Sequence, residues 1–198
     1  MTIDTMVLIV LVLCFAMALV ISCIAVASDS DDQMEPVDVK DFDPVVIQSP
    51  ELRTWVKYPV PLSDELQKYT EEICREYAVP ASVVFAVMEA ETGGTFDPEL
   101  KGDMYDGQYR SFGLMQVMAS EHTDRCLRLN AYNLLDPRQN IRVGVDFLAE
   151  LIAYYDGDYR AALSFYNSDS TGQYAEMVLS RAEVLAESAQ TVTEVVRE

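Results

Sequence analysis

Histidine occurs once in these 198 residues, at position 122, and the four cysteines stand apart at positions 14, 23, 74 and 126. That scarcity leaves no Cys-rich metal spacing, and a lone histidine without a partner cluster builds no metal site. His122 therefore reads as a surface residue of a helix. No glycine-rich phosphate loop and no Ser-His-Asp set is visible. Positive charge is scarce as well: 14 Lys and Arg face 33 Asp and Glu, a formal net charge of −19. Phosphate contacts need clustered basic side chains, so nucleic acid is excluded as a partner. A polybasic hold on anionic lipid is excluded on the same ground. There is no internal repeat. Half of the residues are hydrophobic, which excludes disorder throughout, and the length suits about one domain.

The apolar residues are unevenly spread. Residues 6–27 carry no charge. At about 1.5 Å of rise each, these 22 residues span the roughly 30 Å hydrocarbon core of a bilayer. Two removable-signal readings compete with an anchor. Ala25-Val26-Ala27 has the small-x-small form of a secretory cleavage site, and Val20-Ile21-Ser22-Cys23 resembles a bacterial lipobox. The preceding MTIDT has Asp4 and no Lys or Arg, and apolar residues continue past Cys23. An uncleaved transmembrane anchor over 1–27 is the expectation.

Residues 28–61 are acidic and broken by Pro36, Pro44, Pro50, Pro59 and Pro61. Like charges and prolines make this an extended linker, with Trp55, Val56 and Tyr58 near its end placed to pack on the body. From Ser63 the pattern turns helical, with Leu66, Tyr69, Ile73 and Tyr77 on one stripe. Pro80 opens a helix that is apolar on all sides and therefore central, ending at Gly93-Gly94. A loop over 95–110 leads to a helix at 115–129. Asp136-Pro137 starts a long helix with Ile141, Val145, Leu148 and Ile152 on one face. Gly144 inside it costs about 1 kcal/mol relative to Ala, so close packing is expected there. Shorter helices follow at 159–166 and 173–187. The fold class is all-α, with the body at 62–188 and a frayed tail at 189–198.

Glu91 is the leading candidate for chemistry. It lies in the last turn of the apolar helix, where desolvation and the helix C-terminus both disfavour an anion. A carboxyl pushed upward in this way can donate a proton near neutral pH. Glu89, about 200° around the helix, points elsewhere.

Four segments give Glu91 its context: PASVVFAVMEAET ending at Thr92, SFGLMQVM at 111–118, DPRQNIRVGVDFL at 136–148 and ALSFYN at 162–167. Over residues 66–179 they resemble, in order, the catalytic domain of bacterial lytic transglycosylases, the lysozyme-like SLT family. That resemblance implies a peptidoglycan lytic transglycosylase cleaving between N-acetylmuramic acid and N-acetylglucosamine, without a cofactor. It implies Glu91 as catalytic acid and base, with Thr92 in the place of the family's usual serine. Ser111, Gly113, Leu114, Met115 and Gln116 would shape the sugar groove, and Tyr166 and Asn167 would stand near the catalytic carboxyl. After Asn167 the family's usual Ala-Gly-Pro gives way to SDSTG.

Two alternatives remain open at this point. An inverting muramidase would need a second acid about 6.5–9.5 Å away, which Asp103 or Asp106 would supply. A non-catalytic scaffold would grip glycan strands for an envelope assembly. Small tethered members of the family serve secretion or conjugation machines, so an extracytoplasmic body on a bacterial membrane is the expected location. In that compartment Cys74 and Cys126 form either a disulfide or two buried thiols.

Overall fold

The chain divides into two units between Gln48 and Ser49, and the computed structural model describes residues 51–196, within the second. The anchor expected at 6–27 and the linker up to residue 50 lie outside the described residues. Among those described, no helix is long and apolar enough to cross a membrane. The order is β1 (Glu51–Lys57), α1 (Asp64–Glu76), α2 (Ala81–Glu91), β2 (Lys101–Tyr105), β3 (Gln108–Phe112), β4 (Val117–Met118) and α3 (Thr123–Arg128). There follow α4 (Pro137–Tyr154), α5 (Tyr159–Tyr166), α6 (Gln173–Ser188) and β5 (Gln190–Val196).

Helix α2 is the centre. Val84, Phe85, Val87 and Met88 are fully buried, because apolar residues occupy every side of the helix and neighbours cover them all. The helix ends where Gly93 and Gly94 take positive φ, a turn that costs a residue without Cβ little. Helix α1 starts at Ser63, whose hydroxyl accepts from the Leu66 N–H. Its buried face is partly polar. Gln67 accepts from the Tyr58 N–H at 2.9 Å and donates to the Leu62 carbonyl at 3.0 Å, which ties the incoming chain to the helix. Asp136 caps α4 by accepting from the N–H groups of Arg138 and Gln139, and Ile141, Val145 and Leu148 lie fully in the core.

The body is mostly helical, as expected, but not all-α: it adds two small antiparallel sheets, one of β1 with β5 and one of β2, β3 and β4. The tail expected to fray is β5, paired along its whole length with β1 from Glu51↔Val196 to Lys57↔Gln190. The last stretch of the expected linker is therefore part of the body. Trp55 is buried there under the Lys68 ammonium, 4.9 Å from the ring centroid, and Tyr58 packs on Phe85. The loop expected over 95–110 contains the β2–β3 hairpin.

The helix expected at 115–129 shrinks to 123–128. Gly113 and Gln116 both have positive φ, which a right-handed helix does not accommodate. Segment 113–116 is instead held from below by Asn140 of α4. Its Oδ1 accepts from the Met115 N–H at 2.8 Å, while its Nδ2 donates to the carbonyls of Phe112 at 2.7 Å and Leu134 at 3.0 Å. Gly144 supplies the room this segment needs, since a Cβ there would lie 2.5 Å from the Met115 sulfur.

Candidate active site

Glu91 closes α2 at the floor of a cleft of about 240 Å³, shared with Asp103, Gln116, Phe147, Tyr166 and Asn167 among others. One carboxylate oxygen, Oε1, accepts from the Tyr174 hydroxyl at 2.6 Å and from the Asn167 amide at 3.4 Å. Burial pushes the Glu91 pKa up; the hydrogen bonds from Tyr174 and Asn167 pull it partly back, and the charge of Asp103 adds to the rise. Since both donors converge on Oε1, a proton on Oε2 faces no competing donor. The arrangement is that of a cleft-lining carboxyl held through one of its oxygens.

The remaining expected residues separate into those that reach the cleft and those that support it. Gln116 lines the cleft, but its polar atoms are engaged locally. The side chain donates to the carbonyls of Gly113 at 2.8 Å and Leu100 at 3.3 Å and accepts from the Ser111 hydroxyl at 2.8 Å. It is a brace between the hairpin and segment 113–116. Leu114 and Met115 are fully buried, so the expectation that they shape the groove directly is corrected: they are core beneath it. Gly113 and Ser111 are also buried, and a Cβ on Gly113 would meet the Asn140 amide at 2.5 Å. Tyr166 lines the cleft while its hydroxyl donates to the Met115 carbonyl at 2.9 Å. Thr92 is buried, donating to the Met88 carbonyl at 2.7 Å and accepting from the Phe96 N–H at 3.0 Å. Its hydroxyl closes the turn after Glu91.

Of the two candidate second acids, Asp103 lines the cleft and Asp106 does not; Asp106 is exposed at the hairpin turn. Glu89 faces away and pairs with Arg181 at 2.8 Å. His122 is not the surface residue expected. It is half-buried against the Phe147 ring, with centroids 4.4 Å apart, and lines the cleft; burial pushes its pKa down. This wall is fixed by charge. Asp146, buried on α4, accepts from Arg125 Nε at 2.9 Å and from Arg128 Nη2 at 2.7 Å, and Arg125 also pairs with Glu150. Helix α3 fully buries none of its residues, and this ion-pair cluster together with the packing of Cys126 on the core holds it to the body.

Cys74 and Cys126 are free thiols, which corrects the disulfide alternative. Burial pushes the Cys74 thiol up to about 12. Among the described residues no group of three or more His, Cys, Asp or Glu is placed to hold a metal ion.

Sequence reasoning missed Tyr174, the closest partner of Glu91, together with Phe147 and Phe165 in the cleft wall. A signal for Tyr174 existed. It heads an apolar stripe with Val178, Ala182 and Leu185 on α6, and a tyrosine on a buried stripe needs a partner for its hydroxyl. Residues 68–175, just over half of the chain, match the protein-family model described as "Transglycosylase SLT domain".

Proposed function

Since the chain belongs to the transglycosylase SLT family, lysozyme-like domains that act on peptidoglycan, we propose that it cleaves the β-1,4 bond between N-acetylmuramic acid and N-acetylglucosamine by non-hydrolytic transglycosylation. The observation that carries this reading is one partly buried carboxyl, Glu91, held through a single oxygen beside a cleft of about 240 Å³. Its Oε2 proton passes to the glycosidic oxygen as the C1–O bond breaks, and positive charge develops at C1 of the muramoyl residue. The same carboxylate then accepts the proton of the muramoyl C6 hydroxyl, whose oxygen bonds to C1. The product is a 1,6-anhydro ring, Glu91 returns to its acid form, and no water is consumed. Tyr174 and Asn167 stabilise the carboxylate in the interval between the two transfers.

A second reading rests on Asp103, which shares the cleft with Glu91 and in a hydrolase would activate water. Mass spectrometry of sacculi digested by the full-length chain separates the two. Anhydro-muropeptides are the expected product; hydrated reducing ends without them would replace this reading by the hydrolytic one. A digest with no cleavage at all, under conditions where the folded chain binds sacculi, would favour a glycan-gripping scaffold. The apolar segment 6–27 fits a membrane tether with the body outside the cytoplasm, where its substrate lies, and service to a secretion or conjugation machine fits a small tethered enzyme.

Tyr174→Phe tests how Glu91 is held. Loss of a charge-assisted hydrogen bond of about 1.5–3 kcal/mol lowers turnover by about 10- to 100-fold. Because that bond favours the carboxylate, its removal moves the alkaline limb of the pH–rate profile to higher pH. A limb that moves down, measured as initial rates on sacculi, would contradict the assigned donor.

A further inference from the structure

Asp103 lines the cleft beside Glu91, yet transglycosylation by a single carboxyl gives it no proton to move and no water to activate. We propose that Asp103 selects the substrate: the cleft takes glycan in which a hexosamine has lost its N-acetyl group, and the Asp103 carboxylate holds the ammonium thereby uncovered. The inference rests on the function proposed above, because that function is what brings a glycan strand to the cleft.

Three observations carry the assignment. The first is that the Asp103 carboxylate forms no hydrogen bond or ion pair with any described residue. A cation stands close by and is turned elsewhere. Arg110 lies across the hairpin, in the same gap between the rungs Gly102↔Ser111 and Met104↔Tyr109. Its guanidinium nevertheless reaches Glu121 at 3.8 Å and lies over the Tyr105 ring.

The second is where the backbone puts the group. Asp103 has φ +48° within β2, a left-handed conformation that is unfavourable for a residue with a Cβ. The hairpin thus keeps a carboxylate near a like group, and the charge of Asp103 adds to the upward push on the Glu91 pKa. A cation bound at Asp103 relieves that repulsion.

The third is the sign of the field. Glu91, Asp103 and Glu121 line the cleft, and no Lys or Arg does. His122, whose pKa burial pushes down, is uncharged at neutral pH. The sugars of a fully N-acetylated glycan are neutral and gain nothing from such a field. Removing an acetyl group leaves an amine at C2, where the sugar backbone itself then carries positive charge, and a cleft lined by one sign of charge attracts it.

The test is calorimetric titration of the full-length chain with two peptide-free probes, the tetramer of N-acetylglucosamine and the tetramer of glucosamine. It is run at low ionic strength and about pH 6, where a simple amine is protonated. The quantity read is the ratio of the two affinities. Asp103→Asn should lower the preference for the glucosamine tetramer about fivefold, the upper end for an exposed ion pair. Asparagine accepts the same left-handed backbone, so the substitution removes charge alone. Asp106→Asn removes the same charge from the hairpin turn, outside the cleft, and should leave the ratio at its wild-type value. A ratio that Asp103→Asn does not change overturns the proposal. One that Asp106→Asn lowers equally overturns it in favour of net charge, and no binding of the glucosamine tetramer at millimolar concentration overturns it outright. The readout is independent of cleavage: a chain that shows the Asp103-dependent preference but cuts no sacculi would fail the proposed function and not this selection, and the reverse result would fail the selection alone.

Discussion

Glu91→Gln is expected to slow cleavage of sacculi by about 10²- to 10⁴-fold, the usual contribution of a positioned acid–base group. The substitution is nearly isosteric. The glutamine carbonyl oxygen still accepts from Tyr174 and Asn167, as Oε1 does in the wild type, but the amide has no proton to give at any pH of interest. Initial rates on purified sacculi, with circular dichroism to show an unchanged fold, measure the effect; a loss below tenfold would remove Glu91 from the chemistry. The wild-type rate should fall as pH rises through the Glu91 pKa, because only the acid form begins the reaction.

Stability follows the same group with a definite sign. Burial raises the folded-state pKa above that of the unfolded chain, so the folded state holds this proton more tightly. The stabilisation is complete below the ordinary carboxylate range and is lost as pH climbs through the raised pKa. Above that range Glu91→Gln should melt at a higher temperature than the wild type. At acid pH the two should converge. A variant that melts lower at neutral pH would mean that the carboxylate is well solvated.

The second large effect is expected at Asn140→Ala, about 3–5 kcal/mol of lost stability read as a fall in the urea midpoint at constant m. Asn140 is fully buried, and its three hydrogen bonds serve the Met115 N–H and the carbonyls of Phe112 and Leu134. Truncation removes those bonds and leaves buried backbone groups unpaired, each costing about 1–3 kcal/mol. An exposed ion pair such as Lys57 with Asp64 contributes only about 0–1 kcal/mol, so its removal provides the control. Asn140 supports the segment that carries Gln116 into the cleft, so activity should fall further than the fraction unfolded explains. A variant within about 1 kcal/mol of wild type would show that the segment holds itself.

The helices that carry Glu91 and Asn140, and the one that Asn167 ends, were legible because each has local marks: a start at Pro80, Asp136 or Asp158, an apolar run or stripe, or a glycine stop. Glu91 stood out for the same reason, a carboxylate at the end of an apolar helix. Strands β1 and β5 left no such mark. Their pairing joins residues 51–57 to 190–196 across the whole body, and neither segment alternates strongly enough to announce a partner so distant in sequence. The hairpin was hidden by its glycines and aspartates, which read as loop residues; Asp106 and Gly107 form its turn, while Gly102 and Asp103 lie within β2. At 113–116 the apolar letters suggested helix or groove, while positive φ at Gly113 and Gln116 turned them into a buried loop. Tyr174 lay outside the four segments that carry the resemblance, and only tertiary structure brings its hydroxyl to Glu91.

The β1–β5 pairing has a mechanical consequence. Glu51 lies opposite Val196, so the body is joined to the rest of the chain through two adjacent strand ends pointing the same way. Tension between these ends loads the ladder one rung at a time, as in opening a zipper, and not all rungs together in shear. The two strands should therefore peel apart at low force, while α1, which begins only at Asp64, keeps its packing. A tug along the polypeptide would release the span of β1 before it disturbs the carboxyl at the end of α2.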